Sequence, residues 1–217
     1  MADYATRRIM MVDTQVRPSD VTKFPIIEAM LHVPREDYVP AGQREVAYMG
    51  ENIDLGGGRV ALDPRTLAKM LDALDIQPKD AVLDLGCGLG YSTAVIARLA
   101  EFVAGVESDP AQAAQAQRNL SNNGVDNAAV IAGPLAAGGP KSAPYDVIIL
   151  QGAAVQVPVT VLDQLKNGGR IGAIFAEGAL GVVRIGHKTN GHVDWRFAFN
   201  AGAPVLAGFE AAGGFVL

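Results

Sequence analysis

Three features of the sequence predict an α/β fold, a mostly parallel sheet finished by a C-terminal antiparallel hairpin. From Ala81 onward short apolar runs alternate with helical segments, the first run ends in a glycine-rich loop, and Asn190-Gly191 separates two stretches of period-two alternation. Strands that alternate with helices lie parallel in one sheet covered on both faces. Asn-Gly supplies the positive φ angles of a type I′ turn, so the last two strands pair as a hairpin.

Each element has a local cause. In "SDVTKFPIIEAMLHV", Ser19 and Asp20 are candidate caps for a helix whose apolar residues Ile27, Met30 and Leu31 follow helical spacing. Asp63 and Pro64 read as an N-cap and first helical residue, with Leu67, Met70, Leu71 and Leu74 along one face. "AVLDL" is a buried strand, "YSTAVIARLA" a helix and "FVAGVE" the next strand. "DPAQAAQAQRNLSNNG" is a helix capped by Asp109, with Pro110 first and Gly124 as its stop. "AAVI", "YDVIIL" and "RIGAIF" supply three more strands, with "VPVTVLDQLKNGG" helical between the last two. Val183, Ile185 and His187 alternate in one hairpin strand, and Val193, Trp195, Phe197 and Phe199 in the other. "AAGGP" from Ala136 reads as a flexible connection.

At 217 residues the chain suits one domain: a helical and loop region over 1–62, then an α/β core over 63–217. A net charge of −5 argues against a broad nucleic-acid surface, which needs clustered Lys and Arg. Cys87 is the single cysteine, so neither a disulfide nor a cysteine-rich zinc site can form within the chain. No apolar run reaches bilayer length, and "IMMV" after Arg7 and Arg8 is too short for a signal-peptide core. A cytoplasmic protein bound to no membrane is the expectation.

"VLDLGCGLGY" places Gly86, Gly88 and Gly90 between a strand and a helix, where the backbone can approach a ligand and free N–H groups point outward. Tyr91 stands where the nicotinamide fingerprint needs its last glycine, which disfavours a dehydrogenase. Glu107 ends the next strand, where a carboxylate can accept both hydroxyls of a ribose; a solvated strand-end charge is the plainer alternative. Asp84, on a buried strand, needs a partner: the amino group of a methionine moiety or a backbone N–H of the loop.

Strand, loop, helix and acid together resemble the cofactor site of Rossmann-like class I S-adenosylmethionine-dependent methyltransferases. "AMLHVPREDYVP", "IDLGGGR" and "APYDVIILQGAAVQVPVTVLDQLKNGGRI" narrow the resemblance, over about residues 26–175, to the protein-L-isoaspartate O-methyltransferases. This implies S-adenosyl-L-methionine as cofactor, held by Asp84, Gly86, Cys87, Gly88, Gly90, Glu107, Ser108, Ala132 and Gly133, and isoaspartyl protein or peptide as partner. Cys87 reads as a small packing residue, because no histidine lies nearby in sequence to activate it.

The resemblance fails at specific positions. The family's loop typically reads G-x-G-Q-T-I-S-Q-P, its serine treated as an active-site residue. Here Gly56, Gly58 and Pro64 match, but Arg59 replaces the glutamine, Val60 the threonine, Leu62 the serine and Asp63 the second glutamine. Ala132-Gly133 replaces an Asp-Gly pair, and Gln151-Gly152-Ala153-Ala154 an expected "TAAA". An exposed loop arginine and a helix cap are the plain readings of Arg59 and Asp63. Two functions follow: a methyltransferase of isoaspartate-repair type, with no catalytic residue assignable, or a cofactor-binding sensor or interaction module without turnover. His32 reads as packing, His187 and His192 as surface, and no metal is expected.

Overall fold

The computed structural model describes residues 3–178 and 180–211. Tyr4–Met11 forms α1, opened by Asp3, whose carboxylate accepts from the Thr6 amide at 3.1 Å. Two turns lead to α2, Phe24–His32. Ser19 and Asp20 do not cap it. Pro25 lacks an amide hydrogen and suits only the first helical turn, so α2 starts at Phe24 with Lys23 at the N-cap.

Next comes a small antiparallel ribbon, β1 (Ile53–Gly56) and β2 (Arg59–Ala61). Gly56, Gly57 and Gly58 turn it with φ of 84°, 61° and 76°, three successive angles that side chains disfavour. Reading 1–62 as helices and turns misses this ribbon, because strands of four and three residues are too short to display a period. Then α3 (Pro64–Leu74) begins as expected, with Asp63 Oδ1 accepting from the Thr66 amide at 2.9 Å.

The core elements follow in chain order: β3 (Ala81–Leu85), α4 (Tyr91–Ala97), β4 (Phe102–Glu107), α5 (Pro110–Asn122), β5 (Ala128–Ala132), β6 (Tyr145–Ala154), α6 (Val159–Leu162), β7 (Leu165–Glu177), β8 (Leu180–Thr189) and β9 (His192–Asn200). They build one seven-stranded sheet in the order β5-β4-β3-β6-β7-β8-β9. The first five of these strands are parallel; β8 and β9 add antiparallel.

Strand alternation divides the core in two. Val82, Val147 and Ile149 face the layer that holds α2, α3 and α4, while Leu83, Leu85, Ile148 and Leu150 face Leu135, Val161 and Phe209 on the opposite side. Burial on both faces explains why β6 reads as a continuous apolar run.

Three expectations need correction. The helix in "VPVTVLDQLKNGG" is only Val159–Leu162, because Leu165 already pairs with Tyr145 in the sheet and Lys188 Nζ caps the Leu162 and Leu165 carbonyls at 2.7 and 2.9 Å. "AAGGP" is pinned rather than free: Gln164 bonds Gly139 N and Ala137 O, and Thr160 Oγ1 donates to Ala136 O at 2.6 Å. In the terminal hairpin, Asn190 and Gly191 make the turn with φ of 52° and 84°. A register shift then leaves Ala198 unpaired between Phe197 and Phe199, so Phe199 joins Val183 on one face. Trp195 stays on the other, edge-on to Phe175 at 4.9 Å between ring centroids, and Phe197 is exposed.

Candidate functional site

The chain order of the sheet reverses between β3 and β6. In open α/β sheets that reversal opens a crevice at the carboxyl ends of the strands. The loop after β3 lies there. Gly86, Gly88 and Gly90 take φ of 78°, 56° and 97°, and Gly90 is the N-cap of α4. Ala132 pairs with Glu107 across β5 and β4, and Gly133 N donates to Glu107 O at 3.0 Å. Ser108, Ala132 and Gly133 border a recess of about 480 Å³ with Pro110, Pro134, Leu135, Ala136, Ala207 and Gly208. All the cofactor residues named from the sequence therefore belong to one end of the sheet.

Asp84 is fully buried, and within the chain its partners are side chains rather than a loop N–H. Ser92 Oγ and Thr93 Oγ1 donate to Oδ2 at 2.6 and 2.7 Å, and Gln151 Nε2 donates to Oδ1 at 2.8 Å. Burial pushes its carboxyl above the usual carboxylate value, against the pull of those three hydrogen bonds. The side chains, not the loop backbone, take this role because α4 starts at Tyr91 and places Ser92 and Thr93 in its first turn against β3. Burial also raises the Cys87 thiol well above its usual value, so it packs as a neutral group.

Glu107 is no solvated charge. It is fully buried and accepts from Gly88 N at 2.8 Å, Ser108 N at 2.7 Å, Ser108 Oγ at 3.0 Å and Asp109 N at 3.3 Å. Arg59 Nε adds an ion pair at 3.3 Å, while Arg59 Nη2 donates to Gly86 O. Arg59 is thus not an exposed loop arginine: it is 5% exposed.

Two positioning residues lay unread in the sequence. Arg35, fully buried within "HVPREDYVP", donates from Nε to Ala47 O at 2.7 Å and from Nη2 to Leu62 O at 2.8 Å, with its guanidinium carbon 4.6 Å from the Tyr91 ring centroid. It fixes the backbone at the position where the family carries serine. Gln151, noted only as a departure from "TAAA", anchors Asp84. Its polar side chain directly after the apolar run Val147–Leu150 was the available signal. Leu62 is itself buried and lines a cavity of about 10 Å³ between the ribbon and the glycine loop, beside Tyr38, Leu67, Tyr91 and Gln151. His187 and His192 are exposed, and so is His32: it ends α2 at the surface instead of packing in the core as its helical position suggested. Among the described residues no three His, Cys, Asp or Glu side chains cluster as metal ligands, and no helix is long and apolar enough to cross a membrane.

A glycine loop and a strand-end carboxylate at the reversal of a parallel sheet, with antiparallel strands closing one edge, define a Rossmann-like class I methyltransferase fold. The comparisons with known proteins carry this further. The profile of the family described as Protein-L-isoaspartate(D-aspartate) O-methyltransferase (PCMT) matches residues 9–195, and the chain belongs to this family. It is 36% identical over 161 residues to a protein-L-isoaspartate O-methyltransferase of Methanoculleus marisnigri, covering 74% of this chain and 73% of that one. It is 37% identical over 169 residues to protein-L-isoaspartate O-methyltransferase 2 of Marinobacter nauticus, covering 78% and 77%.

Among solved structures it resembles a putative protein-L-isoaspartate O-methyltransferase from Plasmodium falciparum in complex with S-adenosyl-L-homocysteine. The TM-score is 0.79 at 19% identity, covering 92% of this chain and 97% of that one. A second protein-L-isoaspartate O-methyltransferase gives a TM-score of 0.78 at 22% identity, covering 97% of this chain and 66% of that one.

The residues suit an adenosine-bearing donor, whereas the space beside them is filled. A methyl group added to Gly86 collides with Arg59 Nη2, and one added to Gly88 collides with Leu55 Cδ1. Side chains of the ribbon thus lie directly against the glycine loop.

Proposed function

We propose that this chain transfers a methyl group from S-adenosyl-L-methionine to the free carboxylate of isoaspartyl residues in proteins and peptides. The observation that carries the reading is the meeting of the glycine loop and Glu107 at the sheet reversal, in a chain that belongs to this family. When bound, the donor supplies a methyl group on an electron-poor sulfonium. Glu107 holds the ribose hydroxyls, the amides of the glycine loop face the donor, and Ser108, Ala132 and Gly133 border its adenine. Asp84 stays a structural carboxylate that stiffens the loop through Ser92, Thr93 and Gln151 and lends negative charge to the methionine end.

An isoaspartyl carboxylate is already ionised at neutral pH, so displacement at the methyl carbon needs no general base. The chain's contribution is alignment and water exclusion. The β1–β2 ribbon and Leu62 cover the glycine loop, and Arg35 fixes the backbone at Leu62. The expected setting is the cytoplasm, with soluble damaged proteins as partners and no role for nucleic acid.

Leu62 favours a second reading, an S-adenosylmethionine-binding sensor without turnover. An apolar side chain at the family's serine position offers an incoming carboxylate no hydrogen bond. Methanol release from an isoaspartyl peptide separates the two. Release above that of the aspartyl peptide supports repair chemistry; donor binding without release supports the sensor.

A further inference from the structure

The contacts of Glu107 bear on donor binding. A carboxylate offers about four lone-pair directions, and five donors already occupy this one: three backbone amides, Ser108 Oγ and Arg59 Nε. Four of the five come from the strand's own end or the adjoining loop. Arg59 alone reaches in from the ribbon, forty-eight residues away in sequence. Ribose hydroxyls that bond to Glu107 must displace a donor, and Arg59 is the one that can leave without unravelling β4 or the glycine loop.

The same side chain also takes up space. Arg59 Nη2 and Leu55 Cδ1 lie where small additions to Gly86 and Gly88 would be, and both belong to the ribbon. Besides the apolar packing of Ile53, Leu55, Val60 and Ala61 against the core, the ribbon's first strand accepts single neutral hydrogen bonds from Gln112 Nε2 to Leu55 O at 3.0 Å and from Gln43 Nε2 to Asp54 O at 2.9 Å. Among the described residues its one ionic tie is Arg59 to Glu107.

We propose that Arg59 is a built-in competitor of the donor. Its guanidinium takes the carboxylate that the ribose needs and latches the β1–β2 ribbon closed over the glycine loop, so donor affinity is set by the cost of opening this pair. The proposal rests on the reading of Glu107 as the ribose carboxylate. It makes Arg59 a determinant of donor affinity rather than of chemistry: the ribbon opens, Arg59 turns outward, and the donor enters. Removing the guanidinium leaves Glu107 with its four other donors, so the site survives the loss of its plug.

Titration calorimetry with S-adenosylhomocysteine on the full chain tests this, comparing the wild type with Arg59→Gln and Arg59→Lys. Glutamine cannot form the ion pair and is expected to tighten binding at least tenfold. Lysine keeps the charge but cannot bond Gly86 O and Glu107 together, and is expected to tighten it about threefold. Amide hydrogen exchange over residues 53–61 of the ligand-free Arg59→Gln protein is expected to be faster than in the wild type. Unchanged or weaker binding in the folded variants overturns the latch, as does unchanged exchange; should Arg59→Gln not fold, Arg59→Lys alone decides. The outcomes separate from those of the proposed function. Tighter binding in Arg59→Gln without methanol release keeps the latch and removes the isoaspartyl acceptor. Methanol release by the wild type with equal affinity in all three proteins keeps the acceptor and removes the latch.

Discussion

Gln151 on β6 holds Asp84 on β3, Nε2 to Oδ1 at 2.8 Å, across the two strands where the chain order of the sheet reverses. With Ser92 and Thr93 on Oδ2, this bond lets a carboxylate stand fully buried at the root of the glycine loop. Gln151→Ala leaves one oxygen of that carboxylate without a donor. It is expected to cost about 1–3 kcal/mol of stability, measured as a lower urea midpoint at unchanged slope.

The pH dependence has a definite sign. Burial raises the Asp84 carboxyl in the folded chain above its ordinary 3.8, so the native state holds this proton more firmly than the unfolded one. Its contribution to stability is present at acid pH and is lost as pH rises from the ordinary value through the raised one. Asp84→Asn lacks this titration. Its stability relative to the wild type is expected to improve from pH 4 to pH 7 in urea melts; a pH-independent difference means that the carboxyl is not shifted.

Much of the core was legible because its signals are local. "FVAGVE" coincides with β4, Asp109 and Pro110 start α5 as read, and Asn190-Gly191 turns the terminal hairpin. What could not be read is what depends on distant partners. Arg59 and Glu107 meet across forty-eight residues, and Gln151 and Asp84 across sixty-seven, and no period or cap records such a meeting. Arg59 therefore looked like an exposed loop residue, and Gln151 like an unexplained substitution. The β1–β2 ribbon was hidden for a different reason: its short strands are set by glycine turns and by contact with the glycine loop, not by alternation.

Arg35 stiffens the site from beneath. Its two bonds to Ala47 O and Leu62 O are made inside the core, and among the described residues no acidic side chain bonds to it. Arg35→Met removes both donors and leaves two buried carbonyls unpaired, for an expected loss of about 2–4 kcal/mol in chemical denaturation. Arg35→Lys is expected to recover only part, because a single ammonium cannot reproduce the fork of the guanidinium. Full recovery by lysine contradicts the positioning role.

Leu62→Ser puts a hydroxyl where the family carries one. If alignment of the acceptor limits the rate, methanol release from an isoaspartyl peptide is expected to rise by roughly tenfold to a hundredfold, the equivalent of about 1–3 kcal/mol. Stability is expected to fall by about 2–4 kcal/mol, since Leu62 is buried and serine leaves a cavity. A stable variant with unchanged turnover contradicts the account of this position.

The central claim is that Glu107 and the glycine loop grip the adenosine of the donor. A crystal structure grown with saturating S-adenosylhomocysteine tests it most directly. The ribose hydroxyls are expected within hydrogen-bond distance of the Glu107 carboxylate, with Arg59 turned away from it. Product bound elsewhere on the chain, or none bound while Arg59 stays on Glu107, contradicts the claim.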